Sequence, residues 1–348
     1  TCPPQPANER VIDSPRSQYV FALGTVLKKL GRYVEAEVMF REALVVQEAD
    51  YGRGSPVVAA TLSNLGVMAL EQDKHDEAKE LFEEALAIRR AAYGDIHQDV
   101  AASLNNLAGL NDMPGMFDVA KEQHEQALLI RCQVFGSQHP AVAQSLNNLA
   151  NLLMVKGKYE EAEPLLERTL SIVSEMLSES HPDLAAAMNN LAGCYEHRGQ
   201  YTKAKQLYEQ SLTIRQKTYG LNPLCVAQSL NNLAGMLYKQ GDYERSIELY
   251  EQSMDIKTKL LGAENIEVAE GMNNLAVLHL ACGKVQSAVN SQERAMKVFD
   301  KVLGDNHPST INIKGNLGIS YKRLGMNGMG DRLVAEALDY FSENQYPM

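Results

Sequence analysis

No run of eighteen apolar residues occurs in this 348-residue chain, and no charged-then-apolar leader opens it. The first absence excludes a membrane-spanning helix, and the second argues against a secretory signal. The first residue is Thr rather than Met, as expected of a fragment or a processed chain. Basic charge is also short: 33 Lys and Arg face 44 Asp and Glu, a net charge of −11. A nucleic-acid partner needs a basic surface and is not expected, although a local basic stripe stays open. The five cysteines (Cys2, Cys132, Cys194, Cys225, Cys282) form no C-x-x-C pair and are odd in number. They read as reduced thiols, which points to a cytoplasmic protein.

Catalytic patterns are missing as well. There is no H-E-x-x-H, no nucleophile with its base and no paired-carboxylate signature, so no enzyme and no cofactor is expected. "GMNGMG" at 325–330 follows no strand and lacks the lysine of a phosphate loop. His97, His139, His181 and His307 stand at multiples of 42 residues from one another, in turns of different repeats. They cannot share a metal and are expected to start helices. His124 and His279 fall in core columns, where partly buried and satisfied histidines are expected.

What the chain has is a period. It is 45% apolar and 22% charged, enough for a real core, and its length alone suggests two domains. The leucine of "NNLA"-like segments, however, falls at Leu23, Leu65, Leu107, Leu149, Leu191, Leu233, Leu275 and Leu317, every 42 residues. Such a period means one quasi-linear array. Small residues recur at fixed places: Gly24 to Gly318 after that leucine, then the Ala36, Ala78, Ala120 column, then the Ala43, Ala85, Ala127 column. Small residues at helical spacing let two helices approach closely. "GRY", "GKY", "GQY" and "GDY" break repeats 1, 4, 5 and 6 in the middle, and glycines such as Gly52 and Gly94 mark repeat ends. Each repeat is therefore helix A, turn, helix B, turn. The expected repeats start near 17, 59, 101, 143, 185, 227, 269 and 311. An irregular Pro-rich segment at 1–16 precedes them and a tail at 341–348 follows.

The pattern Leu-x-x-Leu-Ala-x-x-Tyr, then Ala-x-x-x-aromatic, resembles the tetratricopeptide repeat; Met188, Leu191, Ala192, Tyr195, Ala204 and Tyr208 carry it in repeat 5. The 42-residue form, with "SLNNLA", "GKYEEAEPLLER" and "HPAVA", is similar to the kinesin light chain type, seen also in nephrocystin-like and nucleotide-binding sensor proteins. The resemblance covers residues 17–340. It implies an all-α solenoid, a right-handed superhelix of eight helix pairs, whose A helices line a concave groove for partner proteins. It also implies capture of short acidic peptides, an expectation weakened here by a partial basic stripe.

On a helical wheel Leu146, Leu149, Ala150 and Leu153 cluster on the core side, and Asn147 and Asn148 lie more than about 90° from it. The asparagines thus form two ladders on the groove face. The second, Asn64, Asn106, Asn148, Asn190, Asn232, Asn274 and Asn316, reaches the terminal repeats and is expected to join helices. The first, Asn105, Asn147, Asn189, Asn231 and Asn273, is confined to the middle and is the candidate for holding a peptide backbone. One turn on, Gly109, Asn151, Gly193 and Gly235 imply either close approach of a ligand or tight packing between A helices. Arg131, Arg215, Lys239 and Lys257 are candidates for reading acidic side chains, the alternative being that they complement helix dipoles. Pro114 is expected to shorten helix A of repeat 3 and make a hinge there. Lys314 stands in a core column, as a polar cap on a terminal repeat would. The expected function is a non-catalytic adaptor that binds an extended peptide, the motif acidic in one version. The alternatives are the sensor array of a larger signalling protein and a scaffold in a cytoskeletal or ciliary assembly.

Overall fold

A computed structural model describes residues 15–110, 116–218 and 223–343. The chain divides into two compact units, residues 1–176 and 177–348, where the periodicity alone implies one array. In an array each repeat touches only its neighbours, so compactness belongs to groups of repeats and not to the chain as a whole.

The first unit holds α1 (Pro15–Lys29), α2 (Tyr33–Tyr51), α3 (Pro56–Leu70), α4 (His75–Tyr93), α5 (Gln98–Leu110), α6 (Phe117–Phe135), α7 (Pro140–Val155) and α8 (Tyr159–Met176). The second holds α9 (Pro182–His197), α10 (Tyr201–Lys217), α11 (Pro223–Lys239), α12 (Tyr243–Leu261), α13 (Ile266–Ala281), α14 (Val285–Leu303), α15 (Pro308–Arg323) and α16 (Asn327–Glu343). No strand occurs among the described residues. Odd-numbered helices are the A helices and even-numbered ones the B helices. Within each unit every helix packs on the one before and the one after it. In addition α3 touches α5 and α9 touches α11, so the A helices converge on the inner side of each stack.

Local chemistry sets the helix ends. His139, His181 and His307 cap α7, α9 and α15, each accepting through Nδ1 from the backbone N–H two residues on at 3.1–3.2 Å. His97 accepts from Asp99 N–H in the same way, and Asn265 caps α13. The periodic histidines are helix caps, as their place in the turns implies. Proline follows at the first helical position of α7, α9 and α15, where its missing N–H costs nothing. Because the caps and their prolines lead the apolar pattern, the A helices begin ahead of the starts read from that pattern. Likewise α1 starts at Pro15, inside the segment expected to be irregular, and α16 runs to Glu343. Pro114 lies outside the described residues.

The turn between helices A and B uses a left-handed residue: Gly157, for instance, has φ 71°, and the following N–H of Lys158 bonds back to Leu153 at 2.9 Å. Ala36, Ala78, Ala120, Ala162, Ala204 and Ala288 are fully buried where A and B cross. Gly66 stands in the facing column. A Cβ there would come within 2.5 Å of the Phe82 ring, which explains glycine where later repeats carry alanine opposite other side chains.

Candidate functional site

The expected site residues lie on two surfaces: the junction between one repeat's helix B and the next repeat's helix A, and the inner face of the A helices. Arg131 belongs to the first. It is buried, and its Nη1 donates to the Ala141 carbonyl (2.9 Å), Gln144 Oε1 (3.2 Å) and Ser145 Oγ (3.0 Å), clipping α6 to α7. Arg215 repeats this across α10 and α11, donating to the Cys225 carbonyl at 2.9 Å and to Ser229 Oγ at 2.8 Å. Arg89 does so with Ser103 Oγ at 2.6 Å. Burial lowers the pKa of all three guanidinium groups from their ordinary value. Arg131 and Arg215, expected to read acidic side chains or to complement helix dipoles, are held in the junctions by these bonds. Recurrence of a basic residue late in helix B cannot show which helix stands opposite.

Lys257 occupies the same column, but its counterpart is Gly271, which offers no hydroxyl. A Cβ at Gly271 would lie 2.1 Å from Met254 Sδ. Lys257 instead reaches Glu267 at 3.6 Å. Lys239 pairs with Glu196 at 2.8 Å, and Tyr208 donates its hydroxyl to the other oxygen of that carboxylate at 3.0 Å. Burial, then the charge of Glu196, raises the Tyr208 pKa, so the phenol stays a donor.

The asparagine ladders bond to each other. Asn232 Nδ2 donates to Asn189 Oδ1 at 3.1 Å, and Asn316 Nδ2 to Asn273 Oδ1 at 3.4 Å, so the second ladder of one repeat meets the first ladder of the repeat before. Asn189 is buried. Asn105 is drawn inward to His124, Oδ1 to Nδ1 2.8 Å, leaving its Nδ2 buried without a partner; Asn231 Oδ1 is in the same state. Asn147 is half-buried and engaged, while Asn151 is exposed. Burial lowers the His124 pKa to about 4, so the ring is neutral near pH 7. His279, expected to be satisfied, keeps a buried Nδ1 with no partner.

At Gly109 and Gly235 a Cβ would meet no atom of the described residues within 4 Å. Packing between A helices does not account for these two glycines; open surface lies in front of them. The second unit also contains a cleft of about 730 Å³ between α9 and α10, lined by Leu184, Met188, Thr213 and Ile214 with Gln206 and Glu209. Nothing in the repeat pattern marks it, because its apolar residues sit in ordinary core columns. Among the described residues no group of three or more His, Cys, Asp or Glu could hold a metal. No helix among them is long and apolar enough to cross a membrane.

Paired helices with small crossing residues, glycine-ended turns and A helices on the inner side define a helical repeat protein of the interaction class. The sequence profile of the tetratricopeptide repeat matches residues 16–91, 58–133, 141–217, 225–290 and 267–341, and the chain belongs to that family. No curated protein matches the sequence. Among solved structures, the chain is similar to a putative kinesin light chain with nearly identical tetratricopeptide-like repeats from Podosopora anserina, at 28% identity over 59% of this chain and 98% of that one, TM-score 0.49. BtubC (BKLC) from P. vanneervenii is 25% identical over 69% of this chain and 94% of that one, TM-score 0.54. A signal-transduction ATPase with a tetratricopeptide repeat sensor, from Pyrococcus horikoshii, matches over 95% of this chain and 48% of that one, at 16% identity and TM-score 0.68, a likeness of fold.

Proposed function

We propose that this chain is a non-catalytic adaptor whose A-helix faces hold an extended peptide segment of a partner protein. One observation carries the reading. Glycine inside a helix costs about 1 kcal/mol relative to alanine. Gly109 in α5 and Gly235 in α11 carry that cost on open surface, with no atom of the described residues near enough to require it. A peptide backbone lying against the helix supplies the missing reason. Asn151 stands exposed in the same column of the repeat after Gly109, an amide with both donor and acceptor for such a backbone. Asn147 lies one turn before Asn151 in α7, and Asn273 lies on α13, the next A helix after α11. Lys239 is the basic candidate best placed to exchange its internal partner for an acidic side chain, being 45% exposed. The four described cysteines are free thiols, which suits a reducing cytoplasm. A sensor array and a cytoskeletal scaffold share this interaction role and differ in what flanks the chain.

The test uses peptide-library selection on the chain and on Gly109→Ala, Gly235→Ala and Gly235→Leu variants. Alanine is expected to raise stability by about 1 kcal/mol at either site. Leucine at 235 is expected to abolish capture of the enriched peptides while helicity is kept. Capture unaffected by leucine sinks the reading.

A further inference from the structure

The B helices of the first unit carry on their outer side an apolar column that the fold does not require. Val45 on α2, Ala87 on α4 and Leu129 on α6 stand 42 residues apart and are all exposed, Val45 by 69% and Leu129 by 60%. The column continues as Ser171, Thr213, Asp255, Lys297 and Asp339, so a helix pair forms equally well with a polar residue there. α4 and α6 each lie between other helix pairs of the unit, so the exposure of Ala87 and Leu129 owes nothing to the end of a stack. Val38, also exposed, extends the strip along α2, two turns before Val45.

Charge around the strip has one sign. Within about 60° of the column on each helical wheel, the bases of these helices are Arg41 and Arg90. Both are already paired, Arg41 with Glu37 and Glu77 and Arg90 with Asp95. Acids outnumber them there, and Glu80, Glu83 and Glu122 make no ion pair among the described residues. These acids repel anionic lipid and nucleic-acid phosphate. A second copy of the chain brings the same acidic faces and is repelled as well. Val45, Ala87 and Leu129 offer no hydrogen bond to an extended backbone, so an occupant has to arrive with its own backbone satisfied.

We infer that the outer side of α2, α4 and α6 docks a basic amphipathic helix of a partner protein. Its apolar face lies along Val45, Ala87 and Leu129, and its flanking Lys or Arg side chains meet Glu80, Glu83 and Glu122. This surface is separate from the A-helix faces and takes a different kind of ligand.

A labelled model peptide, an amphipathic helix of leucine and lysine, tests this on the full chain by fluorescence anisotropy, with a leucine–glutamate peptide of equal length as control. Saturable one-to-one binding of the leucine–lysine peptide is expected, and none of the control. Leu129→Asp is expected to weaken binding about tenfold or more, although it adds an acid. Glu80→Lys with Glu83→Lys is expected to weaken it too, whereas Glu244→Lys with Glu248→Lys, the same change of charge on α12, leaves it unchanged. All five positions are exposed, and circular dichroism checks that the helices persist. Four results overturn the inference. Unchanged or tighter binding by Leu129→Asp shows attraction between net charges without a site. Equal weakening by the two lysine pairs shows the same. No saturable binding, or equal capture of the control, shows that the strip does not take a basic helix. A parent that gains mass with concentration in sedimentation velocity, where Leu129→Asp does not, shows that a second copy covers the strip.

Discussion

Two junctions built on the same backbone plan differ in what joins them. Between α6 and α7, in the first unit, a buried guanidinium reaches a carbonyl, an amide and a hydroxyl. Between α14 and α15, in the second, the same two columns hold Phe299 and Ile313, packed in one apolar cluster. The polar junction constrains distance and angle and so fixes register, while the apolar one contributes burial without direction. A repeat array can therefore alternate between specifying its stacking and stabilising it, one junction at a time.

The largest effect is expected at the apolar junction. Phe299→Ala should cost about 3–5 kcal/mol, measured by chemical denaturation, because the ring is fully enclosed and leaves a cavity. A cost below about 1 kcal/mol would mean that the junction collapses to fill the space.

Next comes His124, buried where Phe82 and Leu166 stand in neighbouring repeats. Its folded pKa of about 4 lies below the ordinary 6.5. The unfolded chain therefore binds the proton first as pH falls. Stability is full above about 6.5, is lost on the way down to about 4, and amounts to up to about 3 kcal/mol. His124→Leu should flatten that part of the pH–stability curve; an unchanged slope would assign it to other groups.

Arg131→Ala should cost about 2 kcal/mol, since it strands buried acceptors. Arg131→Met paired with Ser145→Ala should cost under about 1 kcal/mol, since charge and hydroxyl leave together and volume is kept. If both variants cost the same, volume and not polar matching holds that junction. The smallest effect is expected at Lys257, whose pairing with Glu267 is long and whose partner is exposed. Lys257→Ala should shift stability by no more than about 0.5 kcal/mol, and less in high salt. A larger shift that salt leaves unchanged would mean that the aliphatic stem, and not the charge, matters there.

The period, the helix pairs, the glycine turns and the histidine caps were legible because each depends on residues within one turn of each other. Lys314 shows where that reading begins to need more. Its place in a core column is visible in the chain, but the Asp305 and Glu336 carboxylates that make its burial tolerable come from the preceding turn and from α16. The candidate site was legible only in part. That Gly109, Asn151 and Gly235 share one column follows from spacing, whereas Arg131, Arg215 and Asn189 look the same in sequence as ligand-facing residues and are bonded within the fold.

The sequence by itself determined that this is an array of 42-residue helix pairs, because periodic burial and capping act locally along the chain. Only the tertiary structure decided which polar side chains are consumed in joining repeats and which faces are left open. That depends on what stands across each junction, about a repeat away in sequence, and a side chain's hydrogen-bonding capacity can be spent once.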